Sequence, residues 1–157
     1  MTPEADAPTT LHARLESAMR DAMRARDERR TTTLRMALAA AHNQRIARGR
    51  ELTDEEIIEV VGREVKTRRE SIDVYRGAGR EDRAAAEEAE VEILSEFLPE
   101  QLTDEAIEAL ARAAIAETGA SGPGDTGKVM GRVAPQTKGR ADGRRVSDIV
   151  RRLLTEA

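Results

Sequence analysis

The stretch Gly122-Pro123-Gly124-Asp125-Thr126-Gly127-Lys128-Val129 satisfies two phosphate-binding patterns at once, G-x-x-x-x-G-K and G-x-G-x-x-G. Both fail on chemistry. A P-loop holds magnesium through a Ser or Thr after its lysine, and Val129 stands there. Both patterns also need a preceding strand, whereas the residues before Gly119 read as helix. A glycine-rich turn opening a helix is the simpler reading, and such a turn can still offer backbone N–H groups to an anion. The carboxylates Glu87, Glu88, Glu90 and Glu92 are spaced so as to spread around a helix, which reads as a solvated face. His12 and His42 are the two histidines and there is no cysteine. Neither histidine has a partner at metal-ligand spacing, so both read as surface residues and no metal is expected. No G-x-S-x-G elbow is present, no catalytic residue is assigned, and no cofactor is expected.

The basic side chains towards the C-terminus carry a stronger signal. Lys128, Lys138, Arg140, Arg144, Arg145, Arg151 and Arg152 share a segment whose acids are Asp142 and Asp148. Attraction to phosphate adds cation by cation and needs no aromatic ring. Tyr75 and Phe97 are the chain's two aromatics, so stacking of single-stranded bases is disfavoured and a folded, phosphate-rich RNA is the polyanion that fits. The alternative is a solubilising face, docked against an acidic helix of the same chain. The charge is segregated in a way the net value of −4 conceals. Residues 11–50 hold ten basic and four acidic side chains, residues 81–108 hold one basic and eleven acidic, and residues 128–157 hold eight basic and three acidic.

These residues must be positioned by helices. Charged residues are 36% of the chain and aromatics 1%, so the core has to be built from Leu, Ile, Val, Met and Ala, a composition that favours helix over sheet. No apolar run reaches the length of a membrane span, and the first eight residues lack the basic start and apolar run of a signal peptide, so a cytoplasmic protein is expected.

Thr9 or Thr10 is placed to cap a first helix with Leu11, Leu15, Ala18, Met19 and Ala22 on one stripe, running to about Arg26. A second carries Leu34, Leu38 and Ala41 and stops at Gly49. Thr53 and Glu56 form a capping box for a third, with Ile57, Val61, Val65 and Ile72 inward and an end near Gly77 or Gly79. A fourth begins near Asp82, turns Ala86, Ala89, Ile93 and Phe97 to one side, and is ended by Pro99. After the boundary Phe97–Leu102, Thr103 caps a helix with Ile107, Leu110, Ala114 and Ile115, ending at Gly119. Asp125 or Thr126 starts a short helix through Val129, Met130 and Val133. A Gly- and Lys-rich corner, Lys138 to Gly143, leads to the last, with Asp142 as its N-cap and Val146, Ile149, Val150, Leu153 and Leu154 buried. The predicted organisation is a disordered segment 1–10, a helical bundle 11–98 and a three-helix module 99–157, all-α throughout. The module is of a size at which burial barely offsets the entropy lost on folding.

The run Asp125-Thr126-Gly127-Lys128-Val129-Met130-Gly131, then Pro135, then Lys138-Gly139-Arg140-Ala141-Asp142-Gly143 and Val146, resembles the C-terminal signature of the GatB/YqeY family. Leu34-Arg35-Met36, Arg63-Glu64-Val65-Lys66, Arg69-Glu70-Ser71, Gly79-Arg80 and the stretch Glu92 to Leu102, with Pro99 in its Leu-Pro-x-Gln-Leu core, are similar to its stand-alone YqeY-like members. In the amidotransferase B subunit a related module is the tail that engages the tRNA whose misacylated Glu or Asp is converted to Gln or Asn. The resemblance therefore implies tRNA as partner, with an aminoacyl-tRNA synthetase or amidotransferase component beside it. The carbon–nitrogen ligase activity with glutamine as amido donor belongs to that family context, because the catalytic cradle for ATP and magnesium and the glutaminase subunit have no counterpart here. On this reading the seven cations hold phosphates, while Gly127, Gly131, Gly139 and Gly143 permit close approach of RNA backbone or of neighbouring helices. A helical protein-interaction module without a nucleic-acid role is the alternative from another class, and a small glutamine- and ATP-dependent enzyme a third.

Overall fold

The computed structural model describes residues 10–156, all of whose regular structure is helical. The expectation made for residues 1–10 falls, apart from Thr10, outside the described residues. The chain divides into two compact units between Leu98 and Pro99.

The first unit contains α1 (Leu11–Arg24), α2 (Glu28–Arg48), α3 (Asp54–Gly77) and α4 (Glu81–Ser95). Three of the four starts, those of α1, α2 and α3, are capped by a side chain. Thr10 Oγ1 accepts the Ala13 N–H at 3.1 Å, and Asp27 Oδ1 accepts that of Arg30 at 3.0 Å. At α3 the capping box closes in both directions: Glu56 N–H donates to Thr53 Oγ1 at 3.2 Å and Thr53 N–H to Glu56 Oε1 at 3.1 Å. The bidentate Arg50 guanidinium, with the Thr53 N–H behind it, holds the Glu56 carboxyl well below its usual 4.5, at about 2. Gly49 ends α2 at φ 69°, a left-handed position that costs glycine nothing. The core comprises Leu11, Leu15, Leu34, Ala37, Ala41, Ile57, Val60, Val61, Val65, Leu94 and Phe97, with Ile72 buried further along α3.

In α4 the sequence expectation needs correction. Ala84 and Leu94 are its buried residues; Ala86, Ala89 and Ile93 are only partly covered, and the buried Phe97 lies beyond the helix end. The reason is a competing polar stripe: α4 also turns Glu90 inward, towards Thr33 of α2 and Arg68 of α3.

The second unit contains α5 (Asp104–Thr118), a single 3₁₀ turn (Pro123–Asp125), α6 (Thr126–Thr137) and α7 (Gly143–Glu156). Thr103 caps α5 and Gly119 closes it at φ 68°. Its core is its own: Ile107, Ala111 and Ala114 of α5, Val129 and Val133 of α6, and Val146, Ile149, Val150, Leu153 and Leu154 of α7. No described helix is long and apolar enough to cross a membrane.

Candidate functional site

The corner between α6 and α7 is fixed by the segment before α5. Gln101 Nε2 donates to the carbonyls of Pro99 at 2.6 Å and Gly139 at 3.1 Å, Leu102 N–H donates to Arg140 O at 2.8 Å, and Arg140 Nε returns a bond to Glu100 O at 3.2 Å. Gly139 is left-handed at φ 76°, which lets the chain reverse after α6. Asp142 Oδ1 accepts the Arg144 N–H at 3.2 Å and so supports the first turn of α7. Gln101 is a corner residue that sequence reasoning left in the linker; its side-chain amide is the clasp.

The glycine-rich turn is largely satisfied from within. Asp125 Oδ2 accepts the Ser121 N–H at 3.0 Å, Thr126 Oγ1 donates to Pro123 O at 2.6 Å, and a helix, α5, precedes it. A carboxylate already sits where an incoming anion would compete for that N–H.

The seven cations fall into distinct settings. Arg145 and Arg152, one heptad apart on the flank of α7, pair with Asp104 and Glu108 of α5, the second at 3.5 Å, and so stitch the two helices together. Arg140 is half-buried and committed to the Glu100 carbonyl. Arg144 and Arg151 occupy the outward line of α7, both exposed, with no acid within ion-pair distance among the described residues. Lys128 is exposed and equally without an acidic partner on α6, and Lys138 is exposed at the end of that helix. Arg132, not singled out by sequence, is exposed beside Lys128 and lies 3.8 Å from Glu117. Surface pairs of this kind are worth only about 0–1 kcal/mol, so Arg132, Arg145 and Arg152 can exchange a carboxylate for a phosphate at little cost.

The glycines have no internal explanation at three of the four sites. A Cβ built on Gly127, Gly131 or Gly143 meets no atom within 4 Å, and none of the three has a positive φ. No described side chain or neighbouring helix packs within 4 Å of a Cβ at these three; Gly139 is explained by its turn. Gly131, Ala134, Pro135 and Gly143, with Met130, Lys138 and Ala141, line an open groove of about 610 Å³ on this surface.

The first unit holds two further polar assemblies. His12 and His42 line one cavity of about 520 Å³ with Glu16, Arg45 and Glu51, a meeting their sequence separation hid. His12 Nδ1 lies 2.7 Å from Glu16 Oε1, and Arg45 Nη2 lies 3.2 Å from His42 Nδ1. Among the described residues no group of three His, Asp or Glu side chains could hold a metal ion. The acids of α4 are mostly answered locally: Glu81 and Glu88 by Arg76, Asp82 by Arg80, Glu90 by Arg68, and Glu96, just past the helix, by Arg30.

Two helical units, the C-terminal one bearing exposed cations on α6 and α7, define an all-α class of protein. Within that class the chain belongs to the family described as Yqey-like protein, whose match covers residues 12–154. It is 30% identical over 130 residues to a protein of Pyrenophora tritici-repentis named altered inheritance of mitochondria protein 41, mitochondrial, covering 82% of this chain and 71% of that one. It is 28% identical over 100 residues to the uncharacterized protein C22F3.15 of Schizosaccharomyces pombe, covering 64% of this chain and 81% of the relative.

Proposed function

We propose that this protein binds a folded RNA, transfer RNA by resemblance to the amidotransferase tail, through its C-terminal unit. It acts as an accessory to a tRNA-charging or amidating enzyme and does not perform amidation alone. The observation that carries this reading is the set of exposed cations Lys128, Arg144 and Arg151, none with an acidic partner among the described residues, in the unit whose α6 also exposes Gly127 and Gly131. A polyanion is the ligand such a surface attracts most strongly, and lone cations on a rigid helix are placed to meet successive phosphates. Arg145 and Arg152, each paired with an acid of α5, and Lys138 and Arg140 at the corner add cationic charge to the same unit. The reading places the protein with charged tRNA in the cytoplasm.

The competing reading, in which acidic α4 and the basic tail recruit different proteins, is weakened by the local pairing of the α4 acids with Arg30, Arg68, Arg76 and Arg80. RNA crosslinked in cells to the full chain and to a Lys128→Glu, Arg144→Glu, Arg151→Glu variant separates the two. Recovery of tRNA with the native chain and its loss with the variant is expected. Equal recovery from both, together with protein partners that survive nuclease treatment, would favour the protein-interaction reading.

A further inference from the structure

The chain's two histidines stand on different helices of the first unit and line one cavity of about 520 Å³. Its frame is held from three sides. Thr10 caps α1, the Leu11 N–H donates to Asp54 Oδ1 at 3.0 Å and so ties the start of α1 to that of α3, and Gly49 ends α2 in a left-handed turn. The partner of each ring fixes its tautomer. A carboxylate only accepts, so His12 Nδ1, 2.7 Å from Glu16 Oε1, carries the proton, and the neutral ring presents an acceptor at Nε2. A guanidinium only donates, so His42 Nδ1, 3.2 Å from Arg45 Nη2, is the acceptor and its Nε2 carries the N–H. One ring thus offers a lone pair and the other a proton, and neither Nε2 has a hydrogen bond among the described residues.

The charges in the cavity are balanced and separable. Arg45 Nη1 lies 2.9 Å from Glu51 Oε1, and the Glu51 side chain is 80% exposed. An exposed pair of this kind holds weakly. A ligand with one charge that opens it leaves the other partner uncompensated, whereas a ligand carrying both charges replaces each partner in turn. Thr10 apart, the remaining lining is apolar: Ala41 and Ile57, both buried, and the half-buried Leu52. A few converging polar groups on an apolar wall, in a volume within the roughly 300–1,000 Å³ of ligand pockets, make up a small-molecule site. The occupant this chemistry selects has a carboxylate for Arg45 and the His42 Nε2–H, an ammonium for His12 Nε2 and Glu51, and a short aliphatic group for Leu52 and Ile57.

We infer that the cavity between α1, α2 and the start of α3 binds a free aliphatic α-amino acid as its zwitterion, with Arg45 and His42 on the carboxylate and His12 and Glu51 on the ammonium. The inference is independent of the RNA reading, since it uses none of the cations of the second unit.

The two histidines serve as reporters, because the imidazole NMR spectrum of the untagged full chain holds one set of signals for each. Titrations at fixed pH and salt use L-leucine, glycine, and the two halves of leucine, 3-methylbutylamine and 4-methylpentanoate. L-Leucine moves both sets of signals along one saturable curve. Each half-molecule binds roughly tenfold or more weakly, as expected for a lost charge-assisted hydrogen bond, and glycine roughly tenfold more weakly for want of a buried side chain. Arg45→Gln lowers leucine affinity by roughly tenfold or more while the unfolding midpoint stays near that of the native chain. Glu51→Gln weakens leucine but strengthens 4-methylpentanoate, because Arg45 has then lost the carboxylate that competes with it. Absence of a saturable response to leucine overturns the inference, and so does leucine affinity that Arg45→Gln leaves unchanged. Binding of either half-molecule as tightly as leucine also overturns it, showing a cleft that takes a simple ion. None of these results bears on the RNA reading.

Discussion

Arg68 is the most deeply placed charge in the first unit, 5% exposed, and its surroundings decide what it contributes. Its Nη1 donates to the Glu64 carboxylate at 2.9 Å and to the Glu64 carbonyl at 3.0 Å, while its Nε, without a hydrogen bond, faces Glu90 Oε2 at 3.6 Å. Glu90 is held in turn by the buried Thr33 hydroxyl at 3.1 Å. The network joins α2, α3 and α4, and it supplies the specificity that the Ala-rich α4 lacks. Arg68→Met strands two carboxylates that are only about a quarter exposed or less. Breaking such a pair costs several kcal/mol when fully buried, and partial exposure of the acids brings the expected loss to about 2–3 kcal/mol. Urea unfolding measures it, and adding Glu90→Leu should recover part of the loss by removing one stranded charge. An Arg68→Met protein as stable as the native chain would show the network to be energetically silent. Spacing alone made Glu90 look like one of four solvated acids. The signal that could have singled it out was its place one helical turn before Leu94 on the buried side of α4.

At the scale of the element, most helices were legible because their ends are written in side-chain chemistry. Thr53 with Glu56, Thr103, Gly49 and Gly119 mark their boundaries by local hydrogen bonding and by left-handed φ, both of which depend on a few adjacent residues. α7 was the clearest, since Val146, Ile149, Val150, Leu153 and Leu154 form one uninterrupted buried face. α4 was the hardest, because its inward face mixes Ala84 and Leu94 with Glu90 and so has no clean apolar period. α6 poses a different question: it is built from poor helix formers, Gly127, Gly131 and Pro135, around a buried face of Val129, Val133 and Thr137. The glycines were visible in the sequence, but not that their surroundings are empty. Gly127→Ala and Gly131→Ala should each raise stability by up to about 1 kcal/mol, since the added methyl group meets nothing and helix propensity improves. A loss of stability on either substitution would mean that the groove is narrower than the structure gives, and thermal unfolding of the single variants decides it.

For the whole molecule, two units with separate cores explain why the charge of the chain is a poor guide to its behaviour. In the first unit about half of the acids, among them Glu56, Glu64, Glu81, Glu88, Glu90 and Glu96, pair with its own arginines. In the second, Arg145 and Arg152 are shared with α5, and Lys128, Arg144 and Arg151 are not answered by any described acid. Sequence counting gave all seven cations equal weight because ion pairing between helices depends on packing. Asp104 and Glu108 become partners of Arg145 and Arg152 only once α5 lies beside α7. The most direct test of the account is the salt dependence of tRNA binding by the full chain. With about four phosphates engaged, log affinity should fall against log salt with a slope of roughly −3 to −4, and Lys128→Ala, Arg144→Ala, Arg151→Ala together should flatten it to roughly −1. A native slope near zero, or one the triple variant leaves unchanged, would contradict the claim that this surface meets a polyanion.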